Sequence, residues 1–410
     1  MNIAFCRFNQ ASDLDFYIGS VSSRNTDQRV GVLHALLELG HNVTVVSYVT
    51  NKHRHVFNGE SKGNFNYSWA RGLKYDIHAD ISKFDLLLVE TAAGNSMYTF
   101  KDDDSREDIS YVGHFANVLR KAKGVPILIW HHGDQGLSFP FGRLSCLTDN
   151  ITEEELANLS PYNYRHLFKG IDIWDGYEYT LWHQSADTQK FMDVYSVNYC
   201  RPEVHIDRAI GSVTGKCPII DIELPIRKRS ELRYDLVYVG EAKPKRVDKI
   251  RKFYDTRYAT SMIVGSKWDT VDWKNKTTRY IPGRDKVHGV VQEHYNKGIA
   301  CILCLDSPLH DVSMTTTRHV QAAMSGAVLL ADGSLPHVER HVGSDQYAVH
   351  TIEDVLQQLE YLEDDDYRID SVNFQRASIP TWTDVMVPIL DVGIGKSQGD
   401  DFNGSQTKNK

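Results

Sequence analysis

Short apolar runs alternate with stretches of helical periodicity along this chain, and the alternation begins at its first residues. Residues 2–6 are an apolar run, and Val30 to Leu39 then repeats apolar side chains at helical spacing before Gly40, a fitting helix cap. Further strands are predicted at Val43 to Tyr48, Phe84 to Val89 and Val125 to Trp130, with a helix over Val112 to Lys123 between the last two. A second series starts at Tyr234 to Gly240 and continues with a helix from about Arg246 and a strand at Ser261 to Val264. A helix near Lys286 to Lys297, a strand at Ile299 to Leu305, a helix at Thr316 to Ser325 and a strand at Ala327 to Ala331 complete it. Strands alternating with helices predict parallel, doubly wound sheets. The expected fold class is α/β, with two Rossmann-like halves facing each other across a cleft and a hinge region at 206–233.

The 410 residues exceed what one hydrophobic core organises, in keeping with two domains, the first over 1–205 and the second over 234–375. From about Leu144 to Tyr199 aromatic and polar residues mix, and strands are hard to place. Thr152-Glu-Glu-Glu-Leu-Ala reads as a capped helix start, and residues 141–180 as an insertion in the first domain. Residues 396–410 hold hardly an apolar group and are expected to be a disordered tail.

Charge narrows the partners. A formal net charge of −8 and a pI near 6.1 argue against whole-surface attraction to polyanions but leave room for one locally basic cleft. Between Arg227 and Lys252 ten Lys or Arg stand against four Asp or Glu, which suits a polyphosphate or nucleic-acid wall as well as a solvated face. Six scattered cysteines make no disulfide framework and fit a reducing cytoplasm. Cys301 and Cys304 form a C-x-x-C inside an apolar run and read as strand packing ahead of metal or redox use. The first residues lack the features of a signal peptide and no run of 18 apolar residues occurs, so the expected location is cytoplasmic, with no membrane partner.

Three stretches carry candidate chemistry. Gly240-Glu241-Ala-Lys243-Pro-Lys245-Arg246 joins a strand to a helix through a glycine and a cation cluster, a setting that offers backbone N–H groups and positive charge to a phosphate. Thr315-Thr-Thr-Arg318-His-Val-Gln321 opens a helix with Arg318 and Gln321 on one face, placed to bind a phosphate and ribose hydroxyls, or else simply exposed on an amphipathic helix. His131-His132-Gly-Asp134 follows a buried strand. A His-x-x-Asp cluster could ligate a metal, but with no further ligand set nearby the histidines read as packing that orients the Asp134 loop.

With these motifs the chain resembles the DNA β-glucosyltransferase family of the T-even bacteriophages, inverting enzymes of the GT-B fold that act on hydroxymethylcytosine. Tyr234-Asp-Leu-Val-Tyr-Val-Gly240 resembles that family's first strand of the nucleotide domain, Asp285-Lys-Val-His-Gly-Val its donor-side loop, and Thr317-Arg318-His-Val-Gln321 its diphosphate and ribose helix. Trp382-Thr-Asp-Val followed by Ile389-Leu390-Asp391 resembles its closing helix, which implies that residues 376–395 return to the first domain. Asp134-Gln-Gly-Leu-Ser-Phe139 matches its Asp-x-x-Leu-x-Phe stretch, so the resemblance gives Asp134 the role of catalytic base. It places Gly240, Glu241, Gly265 and Asp285 beside the nucleotide sugar, and Lys243, Arg246 and Arg318 on its three phosphate-binding arginines, the first with Lys in place of Arg. Gln321 falls where the family has a ribose-binding glutamate, and Asp27 or Gln28 near an acidic residue that helps at the sugar. The chain departs from the family in a longer loop from Arg7 to Arg24 and in the 141–180 insertion.

The resemblance implies transfer of glucose or arabinose from a UDP-sugar, UDP-glucose or UDP-arabinose, to the hydroxymethyl group of a modified cytosine flipped out of double-stranded DNA. It implies a monomer and allows a divalent ion, Mg or Mn, to assist, although no residues of the sequence form a clear metal site. Two other readings keep the fold: a transferase with a saccharide or lipid-linked acceptor, and a non-catalytic nucleotide- or nucleic-acid-binding protein.

Overall fold

A computed structural model describes residues 1–7, 26–47, 49, 51–60, 67–92, 99–101, 108–110, 118–132, 179–199, 209–275, 278–282, 288–305 and 309–395. The first half builds a seven-stranded parallel sheet. Its strands are β1 (Asn2–Arg7), β2 (Asn42–Val45), β3 (Lys74–Tyr75), β4 (Leu86–Ala92), β7 (Ile127–His132), β8 (Tyr179–His183) and β9 (Ala209–Gly211), with helix α1 (Thr26–Glu38) between β1 and β2. A small antiparallel ribbon of β5 (Thr99–Lys101) and β6 (Asp108–Ser110) stands apart, and helix α2 (Thr188–Tyr199) joins β8 to β9. The order in the sheet is β3-β2-β1-β4-β7-β8-β9. Strand β9, at the edge of this sheet, lies inside the stretch expected to be a hinge.

The second half repeats the plan with six strands in the order β12-β11-β10-β13-β14-β15. They are β10 (Tyr234–Val239), β11 (Ser261–Gly265), β12 (Thr278–Pro282), β13 (Gly298–Leu303), β14 (Val328–Asp332) and β15 (Ala348–Val349). Helices α3 (Pro244–Tyr254), α4 (His288–Tyr295) and α5 (Thr317–Ser325) cross between strands; α6 (Ile352–Tyr361), α7 (Asp365–Ser378) and α8 (Trp382–Gly393) close the chain. Central strands such as β10, β13 and β14 are nearly continuous apolar runs because helices cover both faces of a parallel sheet. Cys301 and Cys304 are both buried, and burial pushes both thiols well above the ordinary range, as packing residues require.

Helix α8 leaves the second half and docks on the first. Lys216 N–H donates to the Pro380 carbonyl at 2.8 Å and the Trp382 N–H donates to the Lys216 carbonyl at 3.1 Å, so the helix starts from a short backbone pairing. The Trp382 ring then enters a seat made by two glycines: a Cβ on Gly31 would lie 2.1 Å from it, and one on Gly215 2.7 Å from its backbone. Trp130 and Trp182 stack at 4.9 Å and present their edges to it at 6.2 and 6.3 Å.

A second joint links the two sheets directly. Ala186 N–H donates to the Ser313 carbonyl at 3.1 Å, Thr315 N–H to the Gln184 carbonyl at 2.8 Å, and Thr214 N–H to the Thr315 hydroxyl at 2.8 Å. Beneath this strap lie His319 and His341, their rings edge to face at 6.3 Å, and the Ser313 hydroxyl meets His341 Nε2 at 2.9 Å. Burial lowers His319 to about 4 and His341 to about 3, so both imidazoles are neutral in the folded protein.

Two outcomes follow from these joints. Gly31→Ala should cost about 1–3 kcal/mol through overpacking, measured by urea denaturation, and less in a Trp382→Leu background because the two sites touch. A histidine lowered in the folded state gives stability that is full above its unfolded value of 6.5 and falls as pH drops toward the folded value. Stability should therefore fall between pH 7 and pH 5, by roughly 2 kcal/mol per imidazole at pH 5, and His341→Gln should shrink that dependence.

Candidate functional site

Open parallel sheets bind ligands beyond the carboxyl ends of their strands, where the strand order reverses. In the second sheet that point falls between β10 and β13, and the chain there is Val239-Gly240. The Gly240 N–H donates to the Val264 carbonyl at 2.8 Å, and its carbonyl accepts Trp268 Nε1 at 2.6 Å. Gly265 crosses it with φ +150°, and a Cβ there would stand 1.9 Å from the Gly240 oxygen, so only glycine fits. Gly240 in turn leaves room for a side chain: a Cβ on it would lie 2.7 Å from Arg318 Nη1. The Arg318 guanidinium occupies that space, donating to the Val239 carbonyl beside the Tyr238 ring at 5.9 Å.

Arg318 stands in the first turn of α5, whose N-cap Thr316 has extended backbone. The Thr316 hydroxyl is buried and has no hydrogen-bond partner among the described residues, so no side chain caps the free N–H groups of this turn. Gln321 follows one turn later and is buried. On the neighbouring crossover Lys243 is the N-cap of α3, Pro244 fills its first position and Arg246 is buried in its first turn. Cations gather at the end of β13 as well: beside burial and Asp332, which raise the Cys304 thiol, Lys249, Arg246 and Lys252 oppose the rise. Burial would raise Asp332 too, but its bonds from Ser334 and the Lys249 ammonium at 3.2 Å prevail and hold its carboxyl below the usual range. Glu241 is paired with Lys267 at 2.8 Å.

The structure thus brings Gly240, Gly265, Arg318 and the amino-terminal ends of α3 and α5, with Lys243 and Arg246 on the first and Gln321 one turn beyond Arg318 on the second, to one sheet edge. Asp134 and Asp285 lie outside the described residues, as do residues 8–25 with most of the long loop, the helix start at Thr152, the 396–410 tail and all but the last two residues of the 141–180 insertion. Asp27 falls in the first turn of α1, beside Gln28, which is buried. Strand β7 ends at His132, two residues before Asp134. Among the described residues no group of three His, Cys, Asp or Glu could hold a metal ion. No described helix is long and apolar enough to cross a membrane.

Sequence reasoning missed the crossing of Gly265 with Gly240, which no periodicity reports. It also missed a buried ion pair at the edge of the first sheet, where Arg29 of α1 clasps Glu90 of β4. The signal for that pair was present: a carboxylate inside the apolar run Leu86-Leu-Leu-Val-Glu90.

The sequence matches no protein-family model and no curated protein. Solved structures do match in fold. The T4 phage β-glucosyltransferase in complex with UDP-glucose is 15% identical, covers 95% of this chain and 100% of its own, and has a TM-score of 0.55. The same enzyme with UDP and Mn2+ is 14% identical over the same shares, with a TM-score of 0.57. At that identity the likeness is one of architecture, and it assigns the chain the GT-B fold: two Rossmann-like domains across a cleft, with a C-terminal helix that returns to the first.

The Gly240–Gly265 crossing leads to a direct test. Gly265→Ala should destabilise the second domain by more than about 1 kcal/mol, since alanine must both adopt positive φ and displace the Gly240 carbonyl, and denaturant melts would show it.

Proposed function

We propose that the protein is an inverting glycosyltransferase that moves a neutral sugar from a UDP-sugar to the hydroxymethyl group of a modified cytosine in double-stranded DNA. The observation that carries this reading is the Arg318 guanidinium lodged beside Gly240 at the switch point of the second sheet, with the uncapped start of α5 behind it. A diphosphate is what such a site fits: helix N–H groups and a forked cation together favour a group with two negative charges spread over several oxygens. The fold likeness to T4 phage β-glucosyltransferase, described as a DNA-modifying enzyme that takes uridine diphosphoglucose, supports the same donor and suggests the acceptor.

In this reading Arg318, Arg246 and Lys243 hold the two phosphates, and Gln321 bonds a ribose hydroxyl. Gly240 and Gly265 let the nucleotide approach the backbone; Glu241 keeps the loop in place through Lys267, and Asp285 lies on the donor side. The acceptor base leaves the helical stack to reach the cleft, at a cost of a few kcal/mol. Asp134 takes the hydroxyl proton while the oxygen attacks the anomeric carbon, and the bond to the diphosphate breaks on the opposite side with inversion. One positioned base of this kind supplies about 10² to 10⁴ in rate. UDP leaves with the bonding electrons, and its added charge falls on groups already oriented to receive it. Among the described residues no group of three His, Cys, Asp or Glu offers itself to a divalent ion.

The proposal is tested by incubating the protein with hydroxymethylated and unmodified duplex and a panel of UDP-sugars, then identifying the nucleosides by mass spectrometry. Sugar on hydroxymethylcytosine alone is expected. Asp134→Asn should abolish transfer with UDP affinity kept, whereas Arg318→Ala should weaken UDP binding at least tenfold by calorimetry. Transfer to a saccharide acceptor, with none to DNA, would replace the acceptor assignment.

A further inference from the structure

The basic run of the sequence divides between the two ends of the second sheet. Lys243 and Arg246 stand at the carboxyl edge, where α3 starts, whereas Arg251 and Lys252 lie in its last turn, at the opposite edge. At that amino edge β13, β10, β11 and β12 begin side by side, and four neighbouring strands span about 14 Å at the usual strand spacing. The described segments that enter them, 229–235, 255–260, 274–275, 278–279 and 296–298, hold six Lys or Arg against three Asp or Glu. The candidate nucleotide site at Gly240 and Gly265 lies at the other end of β10 and β11 and draws on none of these cations.

The way the charges are held sets this edge apart from a solvated face. Asp255 accepts the N–H groups of Lys274 and Asn275, both at 2.9 Å, and Asp235 accepts the Thr260 N–H at 2.6 Å and Arg229 Nη2 at 2.9 Å. Arg229 also meets Glu363 at 2.7 Å, so its charge is cancelled. Among the described residues no carboxylate pairs with Arg233, Arg257, Lys274 or Arg279, and all four are exposed. Two of these guanidiniums are fixed by phenols instead. Arg257 Nη2 donates to the Tyr258 hydroxyl at 2.5 Å, with the guanidinium 4.8 Å from the centre of that ring, and Arg279 Nη1 donates to the Tyr234 hydroxyl at 3.2 Å. A neutral acceptor orients the fork and leaves its charge uncancelled. Tyr258 is 68% exposed, the most exposed large hydrophobic residue among those described, and its N–H donates to the Thr256 hydroxyl at 3.2 Å. An open ring is thus held beside an oriented cation.

Oriented guanidiniums with an open aromatic ring among them complement a row of phosphates whose bases are free to stack. A duplex would use the cations but keeps its bases inside, leaving the ring idle, whereas an unpaired strand engages both. We infer that the amino edge of the second sheet binds single-stranded nucleic acid, with a base stacked on Tyr258 and phosphates on Arg257 and Arg279. This surface is separate from the cleft, and nothing in it rests on the glycosyltransferase reading.

The test is fluorescence anisotropy on the full chain with a labelled oligothymidylate of about 12 nucleotides, which carries no cytosine to modify, beside an unmodified duplex of equal length. Wild type should bind the oligothymidylate, more weakly as salt rises. Tyr258→Ala should weaken that binding about fivefold or more and leave the duplex within twofold. The double variant Arg257→Gln with Arg279→Gln should lower the slope of log affinity against log salt by about 1.4, two phosphates at about 0.7 each. Thermal melts of both variants should match wild type, since the substituted side chains are exposed. Equal losses on oligothymidylate and duplex with Tyr258→Ala, no loss on the oligothymidylate, or no binding by wild type would overturn the inference, whatever the sugar-transfer assay shows. Tighter binding to phosphatidylglycerol vesicles than to the oligonucleotide would overturn it too, assigning the edge to a membrane surface.

Discussion

The two sheets face each other as they do because one short strap, Val312 to Thr316, is bonded across to Gln184, Ala186 and Thr214. Any reaction that joins a group on one wall to a group on the other depends on this joint, since it sets how far apart the two carboxyl edges stand. The strap is tightly specified. Ser313 holds a left-handed conformation, φ +50°, which a residue with a Cβ adopts only when its surroundings impose it. Those surroundings are the neutral rings of His319 and His341 below and the backbone of the first domain above. Helix α8 adds a second, independent tie, so the chain crosses between domains and returns with each crossing anchored by backbone bonds.

The two edges have different electrostatic characters. The second sheet gathers cations: Arg318 and Arg246 are fixed near β10, while the nearby carboxylates Asp332 and Glu241 are engaged by Lys249 and Lys267. The first sheet presents a charged pair that sums to zero. Under the proposed function, the cation-rich edge of the second sheet is the one that would meet the charged diphosphate of a nucleotide sugar. This arrangement also explains how a protein with a net charge of −8 could hold a polyanionic group: the attraction is local, and screening over about 8 Å limits what distant surface charge contributes.

Long apolar strands between helices were legible because a parallel sheet buried on both faces leaves a continuous apolar run, as at Leu86 to Val89 and Ile299 to Leu303. Strands β8, β9 and β12 were not, since Tyr-Thr-Leu-Trp-His and Thr-Arg-Tyr-Ile-Pro mix polar and apolar residues and take their pairing from neighbours already in place. Boundaries shifted for similar reasons: β7 runs two residues beyond Trp130 because β4 and β8 continue to pair with it. The Gly240 loop and the Arg318 helix were visible as motifs, because a glycine between strand and helix and a cation at a helix start have local meanings.

By itself, then, the sequence determined the alternation of strand and helix, the two-domain plan and the residue types able to meet a diphosphate, all of which rest on periodicity and on chemistry within a few neighbouring residues. Tertiary structure alone decided that Gly265 must cross Gly240, that Trp382 sits between Gly31 and Gly215, and that Arg29 clasps Glu90. Each of these joins residues between 25 and 351 positions apart, and the meeting depends on how strands are ordered in the sheets, which no local pattern encodes.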